Sequence, residues 1–376
     1  MRGGEFIKCK RCGNDNPNLF YLKNGKYYCR ACVQFKGRVS KLKANIKPKI
    51  VRAKINYYLS SEQKNIAKKI FDEENEIYVK AVCGAGKTEC VFSSIEKALQ
   101  EGKRVGFATP RKEVVKEIFE RLKDVFKGAK VISVYGGNTS VLEGDIIVFT
   151  THQSYRYQKA FGLLIIDEYD AFPFKNNQVL LTLTKNTSIR KIVYLSATFL
   201  DEEIKEETNV TLNKRFHKIC VPVPKIIKAN FIFQIINLIK LIKNTHQDYS
   251  LLIFVPTISL GKRISKFLSI LRIRTLLFTS KSKDKATLFK LIKNKNYRVI
   301  VTTTILERGI TFEKVNVVIL CGDDKVFDHR CIIQIAGRVG RKKDSPTGEV
   351  IIFTKKITFE IKKAINEITL SNRLIK

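Results

Sequence analysis

Residues 76–99 read EIYVKAVCGAGKTECVFSSIEKAL, and this stretch is the strongest indication of the fold class. EIYVKAV has the character of a buried strand, and apolar residues recur at helical spacing over 91–99. Between them, residues 81–88 read A-x-x-G-x-G-K-T, a phosphate loop in its strand–loop–helix setting in which Ala81 replaces the first glycine of the general pattern. Glycines let backbone N–H groups approach phosphate, and the helix N-terminus adds partial positive charge. The stretch predicts a nucleoside triphosphate site, with Lys87 on the β and γ phosphates and Thr88 on Mg²⁺.

A second stretch supplies the carboxylates that such a site needs. LLII (163–166) is typical of a parallel-sheet strand, and its C-terminal end delivers Asp167 and Glu168. Hydrolysis of ATP with Mg²⁺ needs a carboxylate to hold the metal and a second group to orient and deprotonate water. Asp167 suits the first role and Glu168 the second. Asp170 is predicted to couple to a neighbouring motif or a basic partner, with an ordinary surface acid as the alternative.

Later motifs predict a second lobe. YLSATF (194–199) ends another strand, and RVIVTTTILERGITF (298–312) combines a strand with a loop. HRCIIQIAGRVGRKK (329–343) then places Arg338 and Arg341 near the end of a helix. Two arginines can neutralise charge that develops on the γ-phosphate. Because they lie far along the chain from the phosphate loop, we expect them on another lobe that closes over the nucleotide.

The N-terminal segment FIKCKRCGNDNPNLFYLKNGKYYCRACVQF (6–35) has the pattern C-x2-C-x16-C-x2-C. This spacing predicts a structural zinc ribbon, with a hairpin that turns at Asn24-Gly25. Basic and aromatic side chains of the ribbon either contact nucleic acid or form a solvated face and a small apolar core; the sequence leaves both open. Residues 36–56 are interpreted as a basic linker or as an exposed strand that leads into the main body. The predicted zinc ligands are Cys9, Cys12, Cys29 and Cys32.

The length and the net charge of the chain limit its domain number and the class of its partner. A chain of 376 residues predicts two or three domains, and a net charge of +35 favours nucleic acid as a partner, ahead of an anionic membrane. A lysine-rich composition bias is the alternative. No secretory signal or membrane span is recognised, and FIFQIINLIKLIK (231–243) is interpreted as an amphipathic helix. We therefore expect a soluble cytoplasmic protein, with peripheral attachment at the inner face of the cell membrane as an option, and cysteines that are ligands or core residues.

The order of these motifs resembles that of superfamily 2 helicases and translocases. In detail, DEYDAFPF (167–174), AVCGAGKTE (81–89), TTTILERGITF (302–312) and RFHKICVPVPK (215–225) resemble the competence protein ComFA family. This resemblance covers nearly the whole chain. It implies an ATPase that binds single-stranded DNA and helps draw transforming DNA through a membrane channel. It also implies a ComFC-type competence protein and the DNA channel as partners, with homo-oligomers as an option.

The helicase resemblance implies further contacts. Gln63 in YYLSSEQ (57–63) looks like an adenine-reading glutamine. The segments 108–118, 150–157 and 254–264 look like those that grip a nucleic-acid backbone. Alternatives are a replication-restart helicase similar to PriA, disfavoured because its cysteine-rich region lies inside the second lobe, and another DNA or RNA helicase. A zinc-ribbon binding protein with a decayed motor is disfavoured because the motor residues are present.

The predicted fold is α/β, with two RecA-like lobes of mainly parallel sheets preceded by a small four-Cys zinc ribbon. The boundaries are 1–49 for the ribbon and basic linker, 50–208 for the ATP-binding lobe and 209–376 for the C-terminal lobe. The predicted function is ATP-dependent translocation on single-stranded DNA during natural competence, with ATP, Mg²⁺ and Zn²⁺ as cofactors. The predicted catalytic residues are Lys87, Asp167, Glu168, Arg338 and Arg341. The predicted nucleotide ligands are Gln63, Gly84, Gly86, Lys87, Thr88, Asp167, Gly309 and Gln334, and Thr88 and Asp167 are also the magnesium ligands.

Overall fold

The computed structural model describes most of the chain. The described residues are 8–82, 84–170, 174, 177–197, 209–212, 219–282, 284, 287–288, 291–292, 294, 296–307, 312–340 and 347–373. The strands are β1 (Phe20–Lys23), β2 (Lys26–Cys29), β3 (Glu76–Ala81), β4 (Val105–Thr109), β5 (Val131–Val134), β6 (Ile146–Thr150), β7 (Phe161–Asp167), β8 (Ser188–Ser196), β9 (Asn209–Leu212), β10 (Lys225–Lys228), β11 (Ser250–Phe254), β12 (Thr275–Phe278), β13 (Val299–Thr302), β14 (Val315–Ile319) and β15 (Val350–Thr354). The helices are α1 (Ser61–Asp72), α2 (Phe92–Gln100), α3 (Lys112–Val125), α4 (Gln178–Lys185), α5 (Phe231–Asn244), α6 (Ile258–Ile270), α7 (His329–Ala336) and α8 (Phe359–Arg373).

The first large sheet has seven strands in the order β5-β6-β4-β7-β8-β3-β9, and all its pairings are parallel. Its central strands β4, β6 and β7 are near-continuous apolar runs, because helices pack against the sheet and little of it meets water. Strands β7 and β3 are separated only by β8. Since all three run parallel, their C-terminal ends lie at one edge of the sheet, where open α/β sheets bind ligands.

The second large sheet has six strands in the order β10-β15-β14-β11-β13-β12, again with parallel pairings throughout. One core cluster includes Phe254, Ile332 and Ile361, and another includes Leu238, Ile264 and Phe353. Helix α5 confirms the amphipathic helix expected over 231–243, and it buries Gln234, Leu238 and Ile242. The prediction of two α/β lobes with mainly parallel sheets is confirmed.

The N-terminal hairpin pairs β1 with β2 in antiparallel register. Its turn residues Asn24 and Gly25 have φ of 50° and 72°, the left-handed geometry of a two-residue hairpin turn. The hairpin therefore forms where the Asn-Gly pair predicted it.

The chain divides into two compact units. Strand β9 belongs with the first of them, because it pairs with β3 in the first sheet. The predicted boundaries at 49 and 208 stay predictions. The ribbon, predicted as a separate module over 1–49, packs within this first unit. No helix in the described residues is both long and apolar enough to cross a membrane.

Candidate nucleotide site and zinc ribbon

The phosphate loop leaves the C-terminal end of β3 and leads into a helical turn at Glu89–Val91 and then α2. Gly84 and Gly86 have φ of 84° and 78°, a backbone region that favours glycine. A Cβ atom at Gly86 would overlap the side-chain amide of Gln63, so the loop needs glycine there for space as well. The sequence pattern and the backbone geometry therefore agree at this turn.

The strand β7 brings a carboxylate to the loop. Asp167 Oδ1 lies 3.7 Å from Lys87 Nζ, and both side chains are largely buried. The backbone N–H of Glu168 donates to Asp167 Oδ1 at 2.9 Å. Glu168 itself has φ of 54°, which is uncommon for a residue other than glycine and occurs often at functional sites. Thr88, which follows Lys87 directly, is only 8% exposed. A carboxylate and a hydroxyl are the oxygen donors that Mg²⁺ prefers.

Three tyrosines support the end of β7, and the sequence analysis missed them. Tyr78 of β3 stacks on Tyr194 of β8, with ring centroids 4.4 Å apart and an interplanar angle of 7°. Tyr169, which follows Glu168 directly, lies edge-on to Tyr194 at 5.0 Å. This cluster fixes the chain just beyond the two acids. Tyr78 and Tyr194 lie opposite each other in the register of the neighbouring strands β3 and β8, a pairing that no local pattern in the sequence indicates.

Gln63 caps its own helix. Its Oε1 accepts a hydrogen bond from the backbone N–H of Ser60 at 2.9 Å, while Ser60 Oγ accepts one from the N–H of Gln63 at 3.2 Å. This reciprocal pair is a capping box, which fixes the start of α1. Gln63 is 4% exposed and sits against the phosphate loop. The contact with adenine predicted for Gln63 stays a prediction.

Glu89, the residue after Thr88, forms a further network. Its Oε1 lies 2.9 Å from Arg121 Nη2 of α3 and accepts a hydrogen bond from Tyr57 Oη at 3.3 Å. Burial, reinforced by the Glu89 charge, raises the pKa of Tyr57 to about 12, so this phenol stays protonated and remains a donor. The network ties the residues before α1 to the helices that follow the phosphate loop. The only signal for this network in the sequence is the acid Glu89 directly after Lys87 and Thr88.

Replacing Arg121 by alanine is expected to destabilise the first unit by about 2 kcal/mol, because it leaves the buried Glu89 carboxylate without its cation. The measurement is urea unfolding of the full chain. Arg121→Lys keeps a charge and should recover at least half of the loss. Equal stability of Arg121→Ala and the parent chain would show that the pair contributes nothing.

The three segments predicted to grip a backbone lie at helix starts, which can contact phosphate through their N–H groups. Arg111 occupies the N-cap position of α3, and Thr257 caps α6 by accepting from the N–H of Leu260 at 3.1 Å. In the segment 150–157, Arg156 is 8% exposed. Its guanidinium donates to the carbonyl of Arg38 at 2.5 Å and to Gln153 Oε1 at 2.5 Å. Arg156 therefore binds the backbone of the basic linker instead of facing solvent.

The candidate residues of the second unit are described only in part. Gln334 lies in α7 and is 7% exposed, and Arg338 follows that helix and is 3% exposed. Gly309 and Arg341 lie outside the described residues. The roles predicted for these four stay predictions.

The four ribbon cysteines fit a zinc ion. Their sulfur atoms all lie within 4.8 Å of one another, with Cys9 and Cys32 Sγ 3.8 Å apart and Cys12 and Cys29 Sγ 3.6 Å apart. Tetrahedral Zn²⁺ with Zn–S bonds of about 2.3 Å requires sulfurs about 3.8 Å apart. Burial raises the pKa of Cys32 to about 11, so metal binding displaces protons. The cluster is consistent with a closed structural site.

The ribbon is fastened to the first unit by apolar and polar contacts. Leu183 of α4 is 3% exposed and belongs to one apolar cluster with Cys12, Cys29 and Cys32. Asn186 Nδ2 donates to the carbonyl of Arg11 at 3.0 Å, and Arg11 Nη2 donates to the carbonyl of Phe35 at 2.6 Å. The ribbon and α4 are therefore parts of one packed region.

Comparison with known proteins decides the family. Residues 60–206 match the DEAD/DEAH box helicase model, and residues 233–343 match the helicase conserved C-terminal domain. Competence protein ComFA of Bacillus subtilis is 33% identical over 92% of this chain and 81% of its own length. The chain belongs to the ComFA family. ComFA of Streptococcus pneumoniae is 30% identical over 97% of the chain and 90% of its own length.

Solved structures support the fold of this ComFA family member. S. cerevisiae Dbp5 bound to RNA and ADP BeF3 superposes with a TM-score of 0.64 at 16% identity, covering 84% of this chain and 88% of that one. At this identity the likeness concerns the fold alone. With both helicase domains matched, the ComFA family member is a helicase-type, nucleic-acid-dependent ATPase related to competence.

Proposed function

We propose that the protein is an ATP-driven translocase on single-stranded DNA that serves the uptake of transforming DNA in natural competence. The observation that carries the proposal is the approach of Asp167 to Lys87, 3.7 Å apart at the phosphate loop, in a chain of the ComFA family. The net charge of +35 supports a polyanionic partner. Because the proposed role is in competence, we propose that this polyanionic partner is single-stranded DNA.

In this proposal Lys87 binds the β and γ phosphates, while Thr88 and Asp167 hold Mg²⁺. When bound, the metal neutralises charge on the phosphate oxygens. Glu168 orients the attacking water and accepts its proton. The left-handed backbone conformation of Glu168, uncommon outside glycine, supports a functional role for this residue. Gln63, held against the loop, reads the adenine edge.

The proposal extends to place and partners. A protein that receives transforming DNA works at the cytoplasmic face of the membrane, beside the DNA channel. A ComFC-type competence protein is the further proposed partner. Co-purification of the full chain with each of these proteins from competent cells would test the two interactions separately.

The decisive experiment is steady-state ATP hydrolysis at fixed salt with no polymer, single-stranded DNA, duplex DNA or single-stranded RNA. We expect single-stranded DNA to raise the turnover number by at least about tenfold, because binding completes the catalytic geometry. Duplex DNA and RNA should raise it much less. Equal or greater stimulation by RNA would remove the protein from DNA uptake and leave only a shared motor.

A further inference from the structure

The ribbon has features of a nucleic-acid contact. Within residues 8–38, Asp15 is the only acid against eight basic residues. A strongly positive module of this size suits a polyanion. The basic residues are Lys8, Lys10, Arg11, Lys23, Lys26, Arg30, Lys36 and Arg38.

The hairpin also carries stacked aromatic rings in solvent. Tyr21 and Tyr28 face each other across β1 and β2, with ring centroids 5.3 Å apart and an interplanar angle of 22°. The Arg30 guanidinium lies over the Tyr21 ring, 5.3 Å from its centroid. Tyr28 is 40% exposed, and in the described part of the chain Tyr21 is the only ring or cation that contacts it. One face of the Tyr28 ring is therefore open to a further flat group.

The ribbon is held firmly against one of the predicted backbone-gripping segments, 150–157. Tyr155 Oη donates to the carbonyl of Lys36 at 2.6 Å, and the Arg11 guanidinium lies over the Tyr155 ring. Phe35 packs against His152 and Tyr155. These contacts anchor the ribbon on the first unit, which lowers the entropy that the ribbon loses on binding a ligand.

We propose that this hairpin face binds single-stranded DNA, with a base stacked on Tyr28 and the basic residues along the phosphates. Stacking on an aromatic ring accepts any base, and cationic side chains follow the backbone, which are the two components of sequence-tolerant binding. Duplex DNA keeps its bases paired and stacked, so it gains only the electrostatic contribution. The proposal rests on the proposed function for its choice of polymer.

The test compares Tyr28→Ala with Tyr27→Ala in the full chain. Tyr27 is also exposed, at 59%, but its side chain points to the other face of the hairpin because strand residues alternate. Affinity is measured with a fluorescein-labelled oligothymidine by anisotropy, without nucleotide and at several salt concentrations. We expect Tyr28→Ala to weaken binding about tenfold with an unchanged salt slope, and Tyr27→Ala to change it less than about twofold. Lys26→Ala should instead lower the slope by about one.

A second variant provides a direct signal. The chain contains no tryptophan, so Tyr28→Trp introduces a single indole whose fluorescence reports on the site. Stacking of a base should quench it during the oligothymidine titration, with a midpoint that matches the anisotropy Kd. The proposal is overturned if Tyr28→Ala binds like Tyr27→Ala, or if the indole is not quenched.

These outcomes are separable from the proposed function, since the affinity for oligothymidine is measured without nucleotide. A chain that binds through Tyr28 but shows no stimulated ATPase would contradict the translocase alone. Zinc content and the KM for ATP of Tyr28→Ala should match those of the parent chain, which excludes a misfolded ribbon or motor as the cause.

Discussion

Replacing Lys87 by alanine is expected to abolish ATP turnover while most DNA binding remains. The ammonium of Lys87 approaches Asp167 at the phosphate loop, where it would contact the phosphates that change charge during hydrolysis. Loss of one preorganised charge of this kind lowers turnover by about 100- to 1,000-fold. The measurement is phosphate release at saturating ATP, together with oligonucleotide affinity.

The matched control is Lys127→Ala, an exposed lysine of the same unit. It carries the same change in net charge and should keep the parent turnover. Glu168→Gln, an isosteric change, should retain ATP binding and lose hydrolysis. Normal turnover in Lys87→Ala would remove the nucleotide site from this loop.

Removing zinc is expected to unfold the ribbon, abolish stimulation by single-stranded DNA and leave basal ATP turnover within about twofold. The ribbon lacks an apolar core apart from its cysteines and a few neighbours, so the metal supplies its folding free energy. The described contacts of Lys87 and Asp167 involve no ribbon residue. Chelation of the full chain followed by hydrolysis assays, with and without DNA, measures both effects.

Cys12→Ser provides the genetic counterpart, with Cys220→Ser, outside the ribbon, as its control. Chelation should lower the basal turnover of neither variant by more than about twofold. Cooperative loss of the entire first unit on chelation would instead show that α4 and the sheet depend on the ribbon. Retained DNA stimulation in Cys12→Ser would contradict any DNA contact by this module.

Short-range patterns predicted a large part of the structure. The phosphate loop, the strand before the two acids, the Asn-Gly hairpin and the amphipathic helix at Phe231–Asn244 all occur where the sequence indicated them. Each depends on residues close in the chain, whose spacing reflects strand or helix period directly. The four-Cys cluster is equally local in its pattern.

Contacts between distant segments had no comparable signal. Glu89 with Arg121, Tyr78 with Tyr194, and Arg11 with Asn186 each join positions that no periodicity relates. Strand β9 is a similar case, because NVTL (209–212) is half polar and its sequence does not say with which sheet it pairs.

The attachment of the ribbon has a consequence for biosynthesis. Arg11 and its anchor Asn186 are 175 residues apart, so at a typical elongation rate α4 leaves the ribosome roughly 9 to 35 s after the cysteines. During this interval the four thiols have no docking surface. If zinc binds during this interval, it binds the ribbon as an isolated module, and the zinc supply to the emerging chain then sets how many copies arrive at docking already folded.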